Sequence, residues 1–279
     1  MGGGGYSAPV PAPPDVLDRP APGPDAVLRY GEHRDAVVDV HLPVEAPGEI
    51  SPAPLLVLLH GGFWRQGWDR RHTRPLASAL RDLGWLVATP EYRRTGGLGG
   101  WPRTFEDITA LQEQLLPLLH EVLPGRVAPA QPTLVGHSAG GHLVLWWSLT
   151  AGSATDRPRR TLALAPVSDL ARAHSENLGS GAVAALLGGG VAQVPERYAV
   201  ADPAARWRAG EMPAGEVVLV HGGDDESVPV QHSRDLATDV GVELLELDCE
   251  HFALIDPLSA VWPSVRDAIG IPPRTDTQL

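Results

Sequence analysis

A strand, a sharp corner and a helix are predicted around residues 136–141, Gly-His-Ser-Ala-Gly-Gly, and this pattern constrains the fold most strongly. A short apolar run at residues 133–135 precedes the Gly-x-Ser-x-Gly motif, and a longer one at residues 142–149 follows it. The pattern is typical of a nucleophile elbow, in which a strained turn holds the serine hydroxyl above the sheet. The two outer glycines are needed because a Cβ at either position would clash with the neighbouring strand or helix. Ser138 is therefore the candidate nucleophile.

Strand-like and helix-like patterns alternate along the chain from residue 55 onward. Short apolar runs predict strands at residues 55–59, 85–89, 133–135, 161–165, 216–220 and 242–247. Apolar residues at helical spacing predict helices at residues 74–83, 105–122, 142–149, 182–187, 230–240 and 258–269. The second of these helices is expected to bend or break near Pro117. The alternation predicts an α/β fold, a mostly parallel central sheet with helices on both faces, and residues 37–42 predict an antiparallel edge strand.

Composition divides the chain into a tail and one domain. Residues 1–26 contain four consecutive glycines and seven prolines, which disfavour both helix and central strand, so this segment is predicted to be a flexible tail. Residues 27–279 are predicted to form a single domain. Within it, the irregular segment at about residues 168–210 is expected to lie over the strand ends as a small cap.

An orienting acid and a base are expected just past later strands, because the carboxyl ends of parallel strands meet at one edge of the sheet. Acidic residues follow the strand at 216–220. Asp225, three residues before a Val-Pro pair, is favoured over Asp224. His251 follows the last predicted strand and is the only histidine after it. The chain order Ser138, Asp225, His251 predicts a catalytic triad.

A His-Gly-Gly-Phe-Trp sequence follows the first strongly apolar strand and predicts an oxyanion hole. Two glycines let backbone N–H groups turn inward, and the candidate donors are Gly62 and Phe63, between which the sequence does not choose. The N–H of Ala139, next to the candidate nucleophile, would complete the hole. Phe63, Trp64 and His137 are expected to contact the substrate.

Composition excludes several other classes of function. All 22 basic residues are Arg, which rules out a Ser-Lys dyad and a Schiff-base lysine, and the net charge of −12 argues against nucleic acid or an anionic membrane as partner. The chain shows neither a metal-ligand cluster nor a Gly-x-Gly-x-x-Gly fingerprint, so no metal and no cofactor are expected. A single cysteine, no signal-peptide pattern and no spanning apolar stretch favour a cytoplasmic protein.

Four motifs together resemble the α/β-hydrolase superfamily. They are His-Gly-Gly-Phe-Trp at 60–64, Gly-His-Ser-Ala-Gly-Gly-His-Leu at 136–143, His-Gly-x-x-Asp-x-x-Val-Pro at 221–229 and Glu-His-Phe-x-x-Ile-Asp at 250–256. Within the superfamily, the chain resembles the esterase branch that contains kynurenine formamidases and related carboxylesterases, over roughly residues 30–270. The resemblance implies Ser138 as nucleophile, His251 as base and Asp225 as orienting acid. It is specific for fold and triad and much less so for substrate.

These observations predict a cofactor-independent serine hydrolase that cleaves a small carboxylic ester or aryl formamide through an acyl-enzyme. Kynurenine formamidase specifically, a serine peptidase and an acyltransferase are the enzymatic alternatives. A hydrolase-fold module that only binds a ligand is the non-enzymatic one. The expected partner is a small-molecule substrate, and the sequence leaves the oligomeric state open, with a homodimer as one alternative.

Overall fold

A central eight-stranded sheet organises the part of the chain that the computed structural model describes, namely residues 15–44, 51–152, 157–270 and 272. The strands are β1 Ala26–Arg29, β2 Val37–His41, β3 Leu55–Leu59, β4 Leu86–Pro90, β5 Thr133–His137, β6 Arg160–Leu164, β7 Glu216–Gly222 and β8 Glu243–Leu247. Their order is β1-β2-β4-β3-β5-β6-β7-β8. Pairing is antiparallel from β1 to β2 and from β2 to β4, and parallel everywhere else. The predicted α/β fold with a mostly parallel sheet is confirmed.

Helices cover both faces of this sheet. They are α1 Arg74–Asp82, α2 Arg103–Val122, α3 Ala139–Thr150, α4 Leu170–Ser175, α5 Ala182–Leu187, α6 Pro195–Ala201, α7 Pro203–Arg208, α8 Gln231–Val240 and α9 Trp262–Ile269. Two short 3-10 turns, Arg70–Thr73 and His251–Ile255, lie near the ends of the strands. Among the described residues, no helix combines the length and apolar character needed to cross a bilayer, and the cytoplasmic location stays a prediction.

Strand β3 shows how the sheet builds two cores. Successive side chains of a strand point to opposite faces. Leu55, Val57 and Leu59 accordingly join one buried cluster, together with residues of α2 and α3. Leu56 and Leu58 join the other cluster, with residues of α1 and α9. A continuous apolar run is therefore what a strand covered on both faces requires.

Three sequence predictions about the fold are corrected by the structure. The strand at 37–42 is not at the edge, because the short half-exposed strand β1 pairs outside it. Residues 168–210 are not irregular; they contain the four short helices α4 to α7, of which only α5 was predicted. The helix α2 is not interrupted at Pro117, which lies on its exposed side, where water can solvate the freed backbone carbonyl; a bend there stays a prediction.

The described part of the predicted tail packs against the domain. Val16 is buried in the core cluster that also contains Leu254 and Ile255. The guanidinium of Arg19 donates two hydrogen bonds to the carboxylate of Asp256, and the one to Oδ2 has a length of 2.7 Å. The segment around Val16 and Arg19 therefore packs against the 3-10 turn that begins at His251 and stabilises it. Residues 1–14 of the predicted tail lie outside the described residues, and the domain boundaries stay a prediction.

Candidate active site

The predicted elbow lies between β5 and α3. Ser138 has a φ of 56° and a ψ of −116°, a conformation that a non-glycine residue adopts only when its surroundings impose it. Its N–H donates a 2.8 Å hydrogen bond to the carbonyl of Leu164, which fixes the turn on the neighbouring strand. A Cβ on Gly136 would lie 2.2 Å from the carbonyl oxygen of Gly140, and one on Gly140 would lie 2.1 Å from that of Leu59. The predicted need for glycine at both positions is confirmed.

We expect Gly140→Ala to destabilise the protein strongly. The added methyl group would meet the backbone of β3, which cannot move without disturbing the sheet, and overpacking of this kind costs about 1–3 kcal/mol or more. Thermal denaturation should show a melting temperature several degrees lower. Gly67→Ala is the matched control, because no atom lies within 4 Å of a Cβ built there. An unchanged melting temperature for Gly140→Ala would show that the elbow is less tightly packed than the structure indicates.

Asp225 and His251, the predicted acid and base, lie in hydrogen-bond contact. The Nδ1 of His251 is 2.5 Å from Oδ2 of Asp225. The other carboxylate oxygen, Oδ1, accepts hydrogen bonds from the N–H groups of Ser227 and Val228, each with a length of 2.8 Å. Burial alone would raise the pKa of Asp225, but the contacts with His221 and His251 outweigh burial and hold the pKa well below its ordinary value. Asp225 is therefore ionised and holds a proton on Nδ1, which leaves Nε2 of His251 as the basic nitrogen.

Asp224, the weaker candidate for the acid, points elsewhere. Its side chain is exposed, and its N–H donates to the carbonyl of Cys249. The thiol of Cys249 is half-buried, and burial followed by the charge of Glu250 raises its pKa to about 11. A thiol with a raised pKa is protonated at neutral pH and is a weak nucleophile.

Ser138 and His251 face one cavity of about 220 Å³. Its lining consists of Gly62, Phe63, Trp68, His72, His137, Ser138, Ser227, His251 and Phe252. None of these described lining residues carries a carboxylate or a guanidinium group. Three of them, Phe63, Trp68 and Phe252, have aromatic side chains. Burial, with a smaller contribution from the nearby His60, lowers the pKa of His72 to about 4. The imidazole of His72 is therefore neutral at neutral pH. The cavity thus suits a small uncharged group.

The predicted oxyanion loop has an unusual backbone. Gly62, Phe63 and Trp64 have φ values of 107°, 49° and 55° in succession. Within the described chain, the N–H groups of Gly62, Phe63 and Ala139 donate to no protein acceptor. Ala139 is the first residue of α3, where N–H groups have no acceptor within the helix. Gly62 and Phe63 line the cavity, whereas Ala139 is buried directly behind Ser138 and is not among the lining residues, and the oxyanion hole stays a prediction.

The structure corrects the substrate role predicted for Trp64. Its side chain is 0% exposed and does not line the cavity; it packs edge-on against His142, with ring centroids 5.1 Å apart. The left-handed backbone at this residue turns the side chain into the core, which residue type alone does not reveal. Trp68 and Phe252 line the cavity instead, as does Phe63, whose contact with substrate stays a prediction. Trp68 carried no motif by which the sequence could have identified it.

His137 borders the cavity but is almost wholly buried. Its Nε2 lies 3.0 Å from the carbonyl oxygen of His251, so this nitrogen must carry the proton and donate. Burial, followed by the nearby His251, holds the pKa of His137 well below its ordinary value, so the ring is neutral. Its clearest contact supports the turn that carries His251, and contact with substrate stays a prediction.

Comparison with known proteins agrees with this architecture. A family model described as BD-FAE matches residues 38–240. The probable carboxylic ester hydrolase LipM of Mycobacterium tuberculosis is 28% identical over 137 residues, which are 48% of this chain and 30% of LipM. The chain therefore aligns with less than a third of that relative.

Two solved structures share the fold. A truncated carbohydrate esterase from gut microbiota superposes with a TM-score of 0.70 at 16% identity, covering 89% of this chain and 97% of that one. Esterase B from Lactobacillus rhamnosis superposes with a TM-score of 0.68 at 18% identity, covering 90% and 88%. At such identities, the similarity establishes the fold.

Proposed function

The chain belongs to the BD-FAE family and has the α/β-hydrolase fold, and we propose that it is a cofactor-independent serine esterase. The observation that carries the proposal is the contact of Asp225 with His251 beside a cavity that also exposes Ser138, held in a strained turn. A nucleophile, a base and an orienting acid are the three groups that acyl transfer to a serine requires. The names of LipM and of esterase B support an ester as the substrate.

In the proposed first step, Ser138 Oγ attacks the carbonyl carbon of the ester. His251 Nε2 takes the hydroxyl proton while Asp225 keeps the imidazole in the tautomer that allows this. The carbonyl oxygen becomes an oxyanion and accepts hydrogen bonds from the N–H of Ala139 and from Gly62 or Phe63. Collapse of this intermediate breaks the bond to the leaving alcohol, which receives the proton from His251, and an acyl-enzyme remains.

In the proposed second step, water attacks the acyl-enzyme. His251 takes a proton from the water, a second oxyanion forms in the same hole, and its collapse releases the carboxylic acid. The proton on His251 returns to Ser138 Oγ. The cycle needs no group beyond those of the chain and the two substrates, the ester and water.

Cavity size and chemistry favour a short neutral acyl group. Ligand pockets for drug-sized molecules usually span about 300–1,000 Å³. A volume of about 220 Å³ is below that range, and its walls carry no charged carboxylate or guanidinium among the described residues. Aryl formamides are the second candidate, because the formyl group is the smallest acyl group and the rings of Phe63, Trp68 and Phe252 suit an aromatic leaving group.

A paired rate assay tests this proposal. We expect p-nitrophenyl acetate and butyrate to be cleaved much faster than the octanoate, because the longer chain exceeds the cavity. N-formylkynurenine in a parallel assay separates the formamidase alternative, and Ser138→Ala controls each substrate. Faster cleavage of octanoate would contradict the small acyl site. No turnover on any of them, with a fluorophosphonate unable to label Ser138, would favour a module that only binds a ligand.

A further inference from the structure

His60 is a buried histidine directly behind the predicted oxyanion loop. It follows β3, is 0% exposed, and both of its ring nitrogens contact oxygen atoms. Nδ1 lies 2.8 Å from the carbonyl oxygen of Gly61, and Nε2 lies 2.7 Å from Oε1 of Glu91. A carbonyl oxygen can only accept a hydrogen bond, so Nδ1 must carry a proton.

The protonation of Glu91 decides the state of the second nitrogen. Its carboxylate receives N–H groups from the backbones of Tyr92 and Arg70, at 3.1 and 3.2 Å, and the Nε of Arg94 lies 3.2 Å away. Both carboxylate oxygens of Glu91 thus face N–H donors, which requires them to act as acceptors. Nε2 of His60, 2.7 Å from Oε1, therefore faces an acceptor and carries a proton too.

We propose that His60 donates hydrogen bonds from both ring nitrogens and thereby positions and polarises the Gly62 N–H of the oxyanion hole. The carbonyl of Gly61 and the N–H of Gly62 belong to one planar trans peptide and point in opposite directions. By holding that carbonyl on the buried side, Nδ1–H of His60 turns the N–H toward the cavity. A cation at the carbonyl end also makes the N–H a stronger donor, because linked hydrogen bonds polarise one another.

The surroundings of His60 favour a positive charge. Tyr92 stacks on its ring, with centroids 4.4 Å apart and an interplanar angle of 12°, and the neutral His72 packs edge-on at 5.7 Å. With His60 counted as a cation, the ion-paired cluster contains the cations His60, Arg34, Arg70, Arg74 and Arg94 and the anions Asp35, Asp39 and Glu91. Cations then exceed anions by two, which places net positive charge beside the position where the proposed reaction would create an anion.

The inference rests on the proposed function and gives a distinctive pH profile. In Glu91→Gln, Nε2 of His60 no longer faces a carboxylate, so the doubly protonated ring is less favoured. We expect kcat of this variant to fall at alkaline pH, where the wild type keeps a plateau, with KM nearly unchanged. The loss should approach the roughly 10²-fold effect of removing an oxyanion donor. A profile parallel to that of the wild type would overturn the inference.

Two further variants separate the charge from the peptide contact. His60→Asn places an amide nitrogen where Nδ1 stands and can still donate to the Gly61 carbonyl, whereas His60→Gln cannot. We expect His60→Asn to retain more kcat than His60→Gln. Glu176→Gln is the matched control for Glu91→Gln. Oε2 of Glu176 lies 2.7 Å from Nε2 of His232, the same distance as between Glu91 and His60, and neither Glu176 nor His232 lines the cavity. Its pH profile should match that of the wild type.

Nitrogen-15 NMR of the protein labelled at histidine measures the protonation of the His60 ring nitrogens directly and does not depend on an activity assay. At pH 8 we expect both ring nitrogens of His60 to carry protons, with the signals assigned by their absence in His60→Gln. One unprotonated ring nitrogen in an active enzyme would overturn this inference and leave the proposed function standing. Retained turnover in Ser138→Ala would instead overturn the proposed function, whatever the state of His60.

Discussion

Ser138→Ala should lower kcat on p-nitrophenyl acetate by about 10⁵–10⁶-fold, as expected when the nucleophile of a triad is removed. In the proposed mechanism the remaining groups act through Ser138: without it, His251 would have no hydroxyl to deprotonate, and the oxyanion donors would have no covalent intermediate to stabilise. The fold should be unaffected, because the hydrogen bond that anchors the turn comes from the backbone N–H to Leu164, which alanine keeps. We therefore expect an unchanged melting temperature.

Ser148→Ala provides the matched control for this experiment. Ser148 lies on helix α3, which begins directly after Ser138, and is equally buried; its hydroxyl donates to the carbonyl of Leu145 rather than facing the cavity. Its kcat should stay close to that of the wild type. Turnover that survives in Ser138→Ala would mean that another group attacks the substrate, and labelling with a fluorophosphonate would identify it.

The sheet and the triad candidates could be predicted because both depend on local sequence. Strands buried on two faces need continuous apolar runs, and the residues 55–59 show such a run with no polar interruption. The carboxyl ends of parallel strands meet at one edge, so Asp225 after β7 and His251 after β8 were expected to converge there. Their 2.5 Å contact agrees with that expectation.

The features that the sequence missed depend on tertiary contacts. Strand β1 has only four residues, half of them exposed, and exists through its pairing with β2. Residue type alone predicts that Trp64 lines the pocket, whereas its backbone conformation turns the side chain into the core. The arrangement of His60 and Glu91 joins residues 31 positions apart, and no local pattern indicates that both ring nitrogens are donors.

The second large effect is expected from Asp225→Asn, which should lower kcat by about 10⁴-fold, as replacing a triad aspartate by asparagine does elsewhere. An amide in this position can present its NH₂ group to Nδ1 of His251, which favours the tautomer with the proton on Nε2. That nitrogen can then no longer accept the hydroxyl proton of Ser138. Asp224→Asn should change kcat only slightly, because the exposed Asp224 side chain does not contact His251.

The same substitution should also alter the acid stability of the protein. The pKa of Asp225 is depressed in the folded state, so this carboxylate contributes stability above its unfolded pKa of about 3.9, and that contribution is lost as pH falls below it. Asp225→Asn removes this term, so the difference in melting temperature between wild type and variant should be largest near neutral pH and shrink below about pH 4. Calorimetry across this range measures it. If instead Asp224→Asn lost activity and Asp225→Asn kept it, Asp224 would be the acid, and the contact between Asp225 and His251 would be structural.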